Sequence, residues 1–444
     1  MASIYSTLFG SYLRLKASMT GDRSYQVYKT LNREQWLPLD QLEHLQVQRL
    51  KALLHRAVTA SAYYREQLAG LKDYIECLSS LSQLAALPVL TRDDLQKHYR
   101  EMLCPVDDST YSDSSGGSTG HPVNFYHDAH YQAFANGIHL LFLSWIGVSR
   151  GDRTAVFWGA DRDFGQLSVK DKLLLKLERM KSLNSFNVHE SALERFLTEL
   201  ETFRPDYIYG YASSLALAAQ YLNQSRRHNI RPRAVRSAAE MLYRDQRQEI
   251  EKAFQCPVYN FYGSREVNNL AAECPAHDGL HVFASGRIVE VVDDAGRPVA
   301  PGEIGLLAVT DLTNLSFPFI RYMIGDMGAL KAEPCRCGRT YPLLAELTGR
   351  SSDIIKLGGK YIHGEYFTHL FYGRPEVRQF QVVQEAADRL VIRVVAAHPR
   401  ADLSFVAEQV RQKVGGNVDV TITLVDDIPP LKSGKYRFTV NQTL

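Results

Sequence analysis

Between Asp128 and Tyr262, short apolar segments alternate with amphipathic ones, and this constrains the fold more than any other feature of the 444-residue chain. Residues 154–158, 207–211, 234–238 and 258–262 read as strands: each is short, apolar and rich in aromatic, β-branched or alanine side chains. Residues 128–145, 192–202, 215–223 and 244–254 read as helices, with apolar positions recurring at helical spacing. Strands alternating with helices predict an α/β fold with a largely parallel sheet.

The flanking regions differ. Residues 39–68 place Leu42, Leu45, Val47, Leu50, Leu53, Leu54 and Val58 at helical spacing, and helices are expected to continue to about Glu101. Thr91 reads as the N-cap of one of them, with Asp94 three residues on. Residues 5–15 are mildly amphipathic and read as an N-terminal packing helix. Strand runs at 288–292 and 306–309, separated by turns at 294–296 and 301–302, predict a β-rich subdomain over about 282–348. Beyond residue 351 the pattern becomes α+β, with strands at 380–383, 390–395 and 418–425 and a helix at 403–414. The expected division is a large N-terminal core over 1–349 and a small mobile C-terminal domain over 350–444.

Charge and cysteine usage exclude several function classes. With 51 basic and 49 acidic residues the net charge is +2, which gives no reason to expect a nucleic-acid partner. No apolar run reaches the length of a membrane span, and the first residues lack the basic start and apolar core of a secretory signal. Six cysteines in 444 residues do not make a disulfide scaffold, so a reducing, cytoplasmic compartment is expected.

Five segments carry chemistry. Ser114 to Pro122 reads Ser-Ser-Gly-Gly-Ser-Thr-Gly-His-Pro, whose glycines let backbone N–H groups converge on an anion while the hydroxyls add donors. It lacks the Gly-Lys-Ser/Thr ending of a Walker loop, and alone it reads as a surface linker. Tyr259 to Glu266 ends a strand at Gly263 and presents Tyr262, Ser264 and Glu266, an aromatic ring for a purine and a carboxylate for Mg²⁺. The other reading is a strand corner with a core tyrosine. Asp326 follows Gly325 in Phe-Ile-Arg-Tyr-Met-Ile-Gly-Asp and is expected at a strand end, where a carboxylate can accept from ribose hydroxyls or serve an ordinary turn. Arg350 sits at the expected domain boundary, and Gly358 and Gly359 follow, permitting close approach by an extended ligand or making a plain hairpin. Leu431 to Arg437 carries Lys435 in Leu-Lys-Ser-Gly-Lys-Tyr-Arg.

In this order, from Leu87 to Phe438, the segments resemble the adenylate-forming enzymes, and most of all the phenylacetate–CoA ligase and capsule-biosynthesis adenylating branch. The resemblance implies ATP-dependent conversion of a carboxylic acid to an acyl-adenylate, followed by rotation of the C-terminal domain and transfer to a thiol or amine. It implies that Ser115, Gly116, Gly117, Ser118, Thr119 and Gly120 hold the β- and γ-phosphates, and that Ala238, Ala239 and Glu240 wall the adenine with Tyr262 and Gly263. Glu266 would bind Mg²⁺, Asp326 the ribose with Arg350 alongside, and Lys435 would bridge the α-phosphate and the carboxylate. Trp158, Tyr209, Tyr211 and Ser213 fall near segments that line the acid pocket, although core packing would use the same residues; the expected acid is aromatic or small and hydroxylated. Gly358 and Gly359 suit the pantetheine arm of CoA or of an acyl carrier protein. A homodimer is a family-level expectation. A lysine and Mg²⁺ between two anions fit the chemistry, since both offset repulsion in the transition state.

A second constellation is Cys274, His277, His281, Cys335 and Cys337. Three thiols and one histidine make either a tetrahedral structural Zn²⁺ site or a set of reduced buried thiols. His281 is preferred to His277 as fourth ligand because it opens the apolar strand at Val282. Some phenylacetate–CoA ligases carry zinc near a similar Cys-x-Cys-Gly.

Overall fold

A computed structural model describes residues 4–115, 123–158, 174–184, 190–350, 354–357, 360–371, 374, 376–398, 403–414, 418–429 and 439–442. The chain opens with helices α1 (Ile4–Thr20), α2 (Ser24–Glu34), α3 (Leu39–Ala60), α4 (Ala62–Gln67), α5 (Lys72–Glu76) and α6 (Arg92–Met102). The helical run expected over 39–68 breaks at Ser61, which is extended and accepts from the Tyr64 N–H to cap α4. Thr91 and Asp94 form the expected capping box at the start of α6. Helix α1 docks through Phe9 and Ser6, whereas Leu8, Tyr12, Leu15 and Met19 remain exposed, so its packing face is narrower than the sequence suggests.

A hairpin of β1 (Tyr111–Ser114) and β2 (Asn124–His127) precedes helix α7 (Ala129–Trp145). The α/β region then runs β3 (Thr154–Phe157), β4 (Met180–Leu183), α8 (Glu190–Phe203), β5 (Tyr207–Tyr211), α9 (Ala212–Gln224), β6 (Ala234–Ala238), α10 (Arg244–Phe254) and β7 (Val258–Tyr262). Strands β8 (Ala271–Glu273), β9 (Leu280–Val282), β10 (Arg287–Val292), β11 (Gly305–Asp311), β12 (Tyr322–Lys331) and β13 (Leu343–Arg350) follow. Among the described residues, eleven strands join in one sheet, in the order β10-β11-β12-β13-β9-β8-β7-β6-β5-β3-β4. The half from β4 to β7 is parallel and the remainder antiparallel. The β-rich stretch thus extends the same sheet.

Alternation along the strands separates two faces. Ile208, Val235 and Val258 face α8, α9 and α10 in one core, and Tyr207, Ala234, Tyr259 and Phe261 face α7 in another. The N-terminal helices cover the antiparallel end: Leu50, Leu53, Leu54 and Leu95 pack with Val291, Leu307 and Val309. Each fully buried leucine contributes about 1.5–3 kcal/mol. Under the β1–β2 hairpin, Arg287 donates to Asp311 at 2.5 Å, with both side chains fully buried.

The C-terminal unit comprises β14 (Ile354–Leu357), β15 (Lys360–His363), α11 (Gly364–Phe371), β16 (Val377–Ala386), β17 (Arg389–Ala396), α12 (Ser404–Val414), β18 (Asp419–Leu424) and β19 (Thr439–Asn441). Its own core gathers Ile355, Phe367, Phe380, Val382, Ile392 and Val406. No helix among the described residues is long and apolar enough to cross a membrane.

Candidate active site

In a parallel sheet, ligands collect beyond the carboxyl ends of the strands. Strand β7 ends there at Tyr262, and the chain reverses through a Ser264–Val267 turn closed by a 3.1 Å backbone hydrogen bond. A Cβ at Gly263 would stand 2.6 Å from the Asn269 nitrogen, so only glycine fits the turn. The Tyr262 hydroxyl donates to Oδ2 of Asp326 at 2.7 Å.

Asp326 lies within β12 and not at a strand end, contrary to the sequence expectation. Ala308 pairs with Met323 and Leu306 with Met327, so residues 324–326 bulge opposite Leu307. Gly325, at φ +83°, permits the bulge. Arg350 ends β13 in backbone register with Asp326.

The base of the glycine loop is the β1–β2 hairpin. Ser115 N–H donates to the Val123 carbonyl at 2.9 Å, and Val123 N–H returns a 3.0 Å bond to Ser115 Oγ. Residues Gly116, Gly117, Ser118, Thr119 and Gly120 lie outside the described residues, as do Gly358, Gly359 and Lys435.

Three side chains that the sequence did not single out tie this hairpin to the Glu266 turn. Arg92 donates through Nη2 to Ser115 Oγ at 3.1 Å and sets Nη1 3.5 Å from Glu266 Oε1. Arg265 reaches Asp113 at 3.4 Å. His127 donates from Nε2 to the Glu266 carbonyl at 3.1 Å and stacks on Tyr131 at 3.8 Å. Burial lowers the His127 pKa, so the ring is neutral with its proton on Nε2. Glu266 itself is buried beside Arg92, whose charge offsets its desolvation. Arg92 reaches the site because Leu90 bridges to Tyr322 at the start of β12 and the capping box then aims the first turn of α6.

Ala238 ends β6, and Ala239 adopts φ +64°. Glu240 then turns toward α9 and accepts from the Ser213 N–H at 2.8 Å. A carboxylate at a helix N-terminus is favourable there. Trp158 stacks on Tyr211 at 4.3 Å and meets Tyr209 edge-on at 6.3 Å, so three of the expected acid-pocket residues come together. Ser213 is exposed at the first turn of α9.

The cysteine and histidine set also assembles. The ligand atoms of Cys274, His281, Cys335 and Cys337 lie within 4.8 Å of one another. Cys274 and Cys335 sulfurs are 3.6 Å apart, and His281 Nε2 is 3.2 Å from Cys337 Sγ. His281 Nδ1 donates to the Tyr341 carbonyl at 3.0 Å, which turns the Nε2 lone pair toward the thiols, as metal-binding histidines require. His277 instead stacks on Tyr259 and bonds Glu273. Asp278 holds the Cys335–Cys337 loop by accepting from Arg336 N–H at 3.0 Å. The donor set fits a tetrahedral structural zinc.

Comparison with known proteins accords with this geometry. A solved 2-hydroxyisobutyryl-CoA ligase in complex with R3-HIB-AMP superposes with a TM-score of 0.70, 22% identity, and coverage of 92% of this chain and 91% of its own. The fold is that of the adenylate-forming enzymes. Residues 354–442 match the family model of the CapK C-terminal domain. Protein CapK of Staphylococcus aureus is 24% identical over 433 residues, covering 90% of this chain and 89% of the relative. A phenylacetate-coenzyme A ligase of Thermus thermophilus is 25% identical over 441 residues, covering 90% and 96%. Across 90% of its length the chain is thus similar both to CapK and to a phenylacetate–CoA ligase, on the adenylate-forming fold.

Proposed function

We propose that this protein is an AMP-forming acid–thiol ligase that activates a small carboxylic acid as its acyl-adenylate and passes the acyl group to CoA. The observation that carries the reading is the convergence of Tyr262, Asp326, Glu266 and Ser115 at the carboxyl end of β7. The Tyr262 ring supplies a face for adenine, and its hydroxyl orients Asp326 toward the ribose hydroxyls. Glu266 would hold Mg²⁺, which offsets phosphate charge when bound. The glycine loop above Ser115 supplies backbone donors for the β- and γ-phosphates, and Arg350 flanks the ribose.

Lys435 is assigned the step itself: its ammonium draws the acid's carboxylate oxygen to the α-phosphorus and follows the charge that builds there. The C-terminal unit then turns, and Gly358 and Gly359 give the pantetheine arm of CoA a close approach. The zinc cluster is structural in this scheme, tying the 335–341 loop to β8 and β9.

Pyrophosphate–ATP exchange with Lys435→Ala tests the assignment. The variant should lose ~10²–10³ or more in exchange rate while still binding ATP. Exchange at the wild-type rate would refute it. Free-CoA consumption in the second half-reaction identifies the acceptor: turnover that leaves free CoA untouched and acylates a carrier protein or an amine would overturn the CoA step alone.

A further inference from the structure

Arg236 stands in the middle of β6 between Ala234 and Ala238, on the sheet face packed against α7. Its surroundings are unusual for a guanidinium, which stays charged at any working pH. Tyr209 on β5 lies directly across from it in register, with the cation 4.5 Å from the ring centre. Phe261 on β7 flanks the other side at 5.0 Å. Nη1 sits 3.3 Å from Nδ1 of His139 on α7. Nε is buried and has no hydrogen-bond partner among the described residues.

No carboxylate among the described residues pairs with this cation. Other arginines of the core do have such partners: Arg287 has Asp311, Arg321 has Glu290, Arg247 has Glu273 and Arg153 has Asp206. His139 supplies no negative charge; burial, and then Arg236, push its pKa down to about 3, so it is a neutral acceptor. Among the described residues, this partly buried guanidinium, flanked by two rings and a neutral imidazole, has no counter-ion of the kind that ordinarily offsets desolvation.

The same residues line the acid wall. Tyr211 and Trp158 stack at the carboxyl end of the strands, Tyr209 is two residues deeper, and Arg236 lies beside Tyr209. Arg236 is two residues back from the Ala238 end of β6, a depth of about 7 Å at strand rise. An acid whose reacting carboxylate meets the nucleotide at the strand ends would extend its far end toward the guanidinium.

From this juxtaposition we infer that Arg236 is a specificity-determining residue that binds a second carboxylate, so the acid activated here is a short dicarboxylate. The inference rests on the adenylation reading and names its substrate class. The planar fork of the guanidinium matches a carboxylate in two parallel hydrogen bonds, and the aromatic rings hold that fork in place.

The test is pyrophosphate–ATP exchange with dicarboxylates of increasing length, each against its own monoamide, which keeps the size and removes the distal charge. Succinate, glutarate, adipate and terephthalate form the series, with acetate, butyrate and benzoate as simple acids. The expected result is a preference of about tenfold or more in kcat/KM for at least one dicarboxylate over its monoamide. In Arg236→Met that ratio should fall to about one, while Arg236→Lys keeps part of it. If Arg236→Met does not fold, as judged by circular dichroism, the wild-type ratio and Arg236→Lys decide. No preference at any length, or a preference unchanged in a folded Arg236→Met, overturns the inference. Exchange with simple acids alone sinks the second carboxylate and leaves adenylation standing; exchange with no acid in the panel sinks both.

Discussion

The Tyr262 hydroxyl and the Asp326 carboxylate, sixty-four residues apart in the chain, meet in a 2.7 Å hydrogen bond. The bond fixes the orientation of the Asp326 carboxylate. Tyr262→Phe keeps the ring and removes the bond. A hydrogen bond to a charged group contributes about 1.5–3 kcal/mol, so KM for ATP should rise by about tenfold or more. The acid's KM should hardly move. Initial-rate exchange kinetics at varied ATP check this, and an unchanged ATP KM would show that the hydroxyl has no part in nucleotide binding.

Arg92 couples Ser115, at the base of the glycine loop, to the Glu266 carboxylate. Arg92→Met removes the guanidinium beside Glu266 and one of the two hydrogen bonds that Ser115 Oγ accepts, the one from Val123 N–H remaining. We expect exchange to fall by ~10–100-fold, a loss of about 1.4–2.7 kcal/mol in transition-state stabilisation. Arg92→Lys should recover part of it, because a lysine restores the charge without the fork. Exchange rates in the two variants, measured with thermal melts, separate this from unfolding.

Protein purified without chelator should contain one zinc per chain by atomic absorption. Cys337→Ser should be substoichiometric in metal and should melt lower, by about 2–4 °C for each kcal/mol lost. His277→Ala should keep the zinc, because that ring faces Tyr259 and Glu273. Metal-free protein with wild-type melting would leave the thiols as packing residues.

Acid should destabilise the protein through its buried histidines. His139 titrates near 6.5 when unfolded and at about 3 when folded, so the unfolded chain binds the proton first as pH falls. Its contribution is fully present above about 6.5 and is lost as pH drops from there toward 3, at no more than about 1.4 kcal/mol per unit. His127 is shifted the same way by burial. Urea midpoints from pH 7.5 to 5 should show a shallower slope in His139→Gln than in wild type. Identical slopes would remove His139 from the account.

Much of the fold was legible. Strands β5, β6 and β7 and helix α10 agree with the sequence reading residue for residue, because apolar periodicity and turn residues mark them locally. Tyr262, Asp326 and the set of Cys274, His281, Cys335 and Cys337 were legible through ordered motifs. The bulge at Asp326 was not, since a glycine before an aspartate reads equally as a turn. Nor could spacing reveal that Arg92 meets Glu266 or that Arg236 meets His139. Those pairs form only when distant segments pack, and an arginine in a strand or at a helix start carries no local sign of what it faces.

The parallel strands divide the labour of recognition. In the proposed scheme the acid-facing side chains lie on β5, on β6 and just past β3, while the nucleotide groups lie at the end of β7, on the β12 bulge and under the glycine loop. In that scheme the two sets meet at β6, whose middle holds Arg236 and whose rim leads to Glu240. Descendants of this chain could therefore change diet by altering a few inward-facing positions, with the ATP machinery inherited untouched.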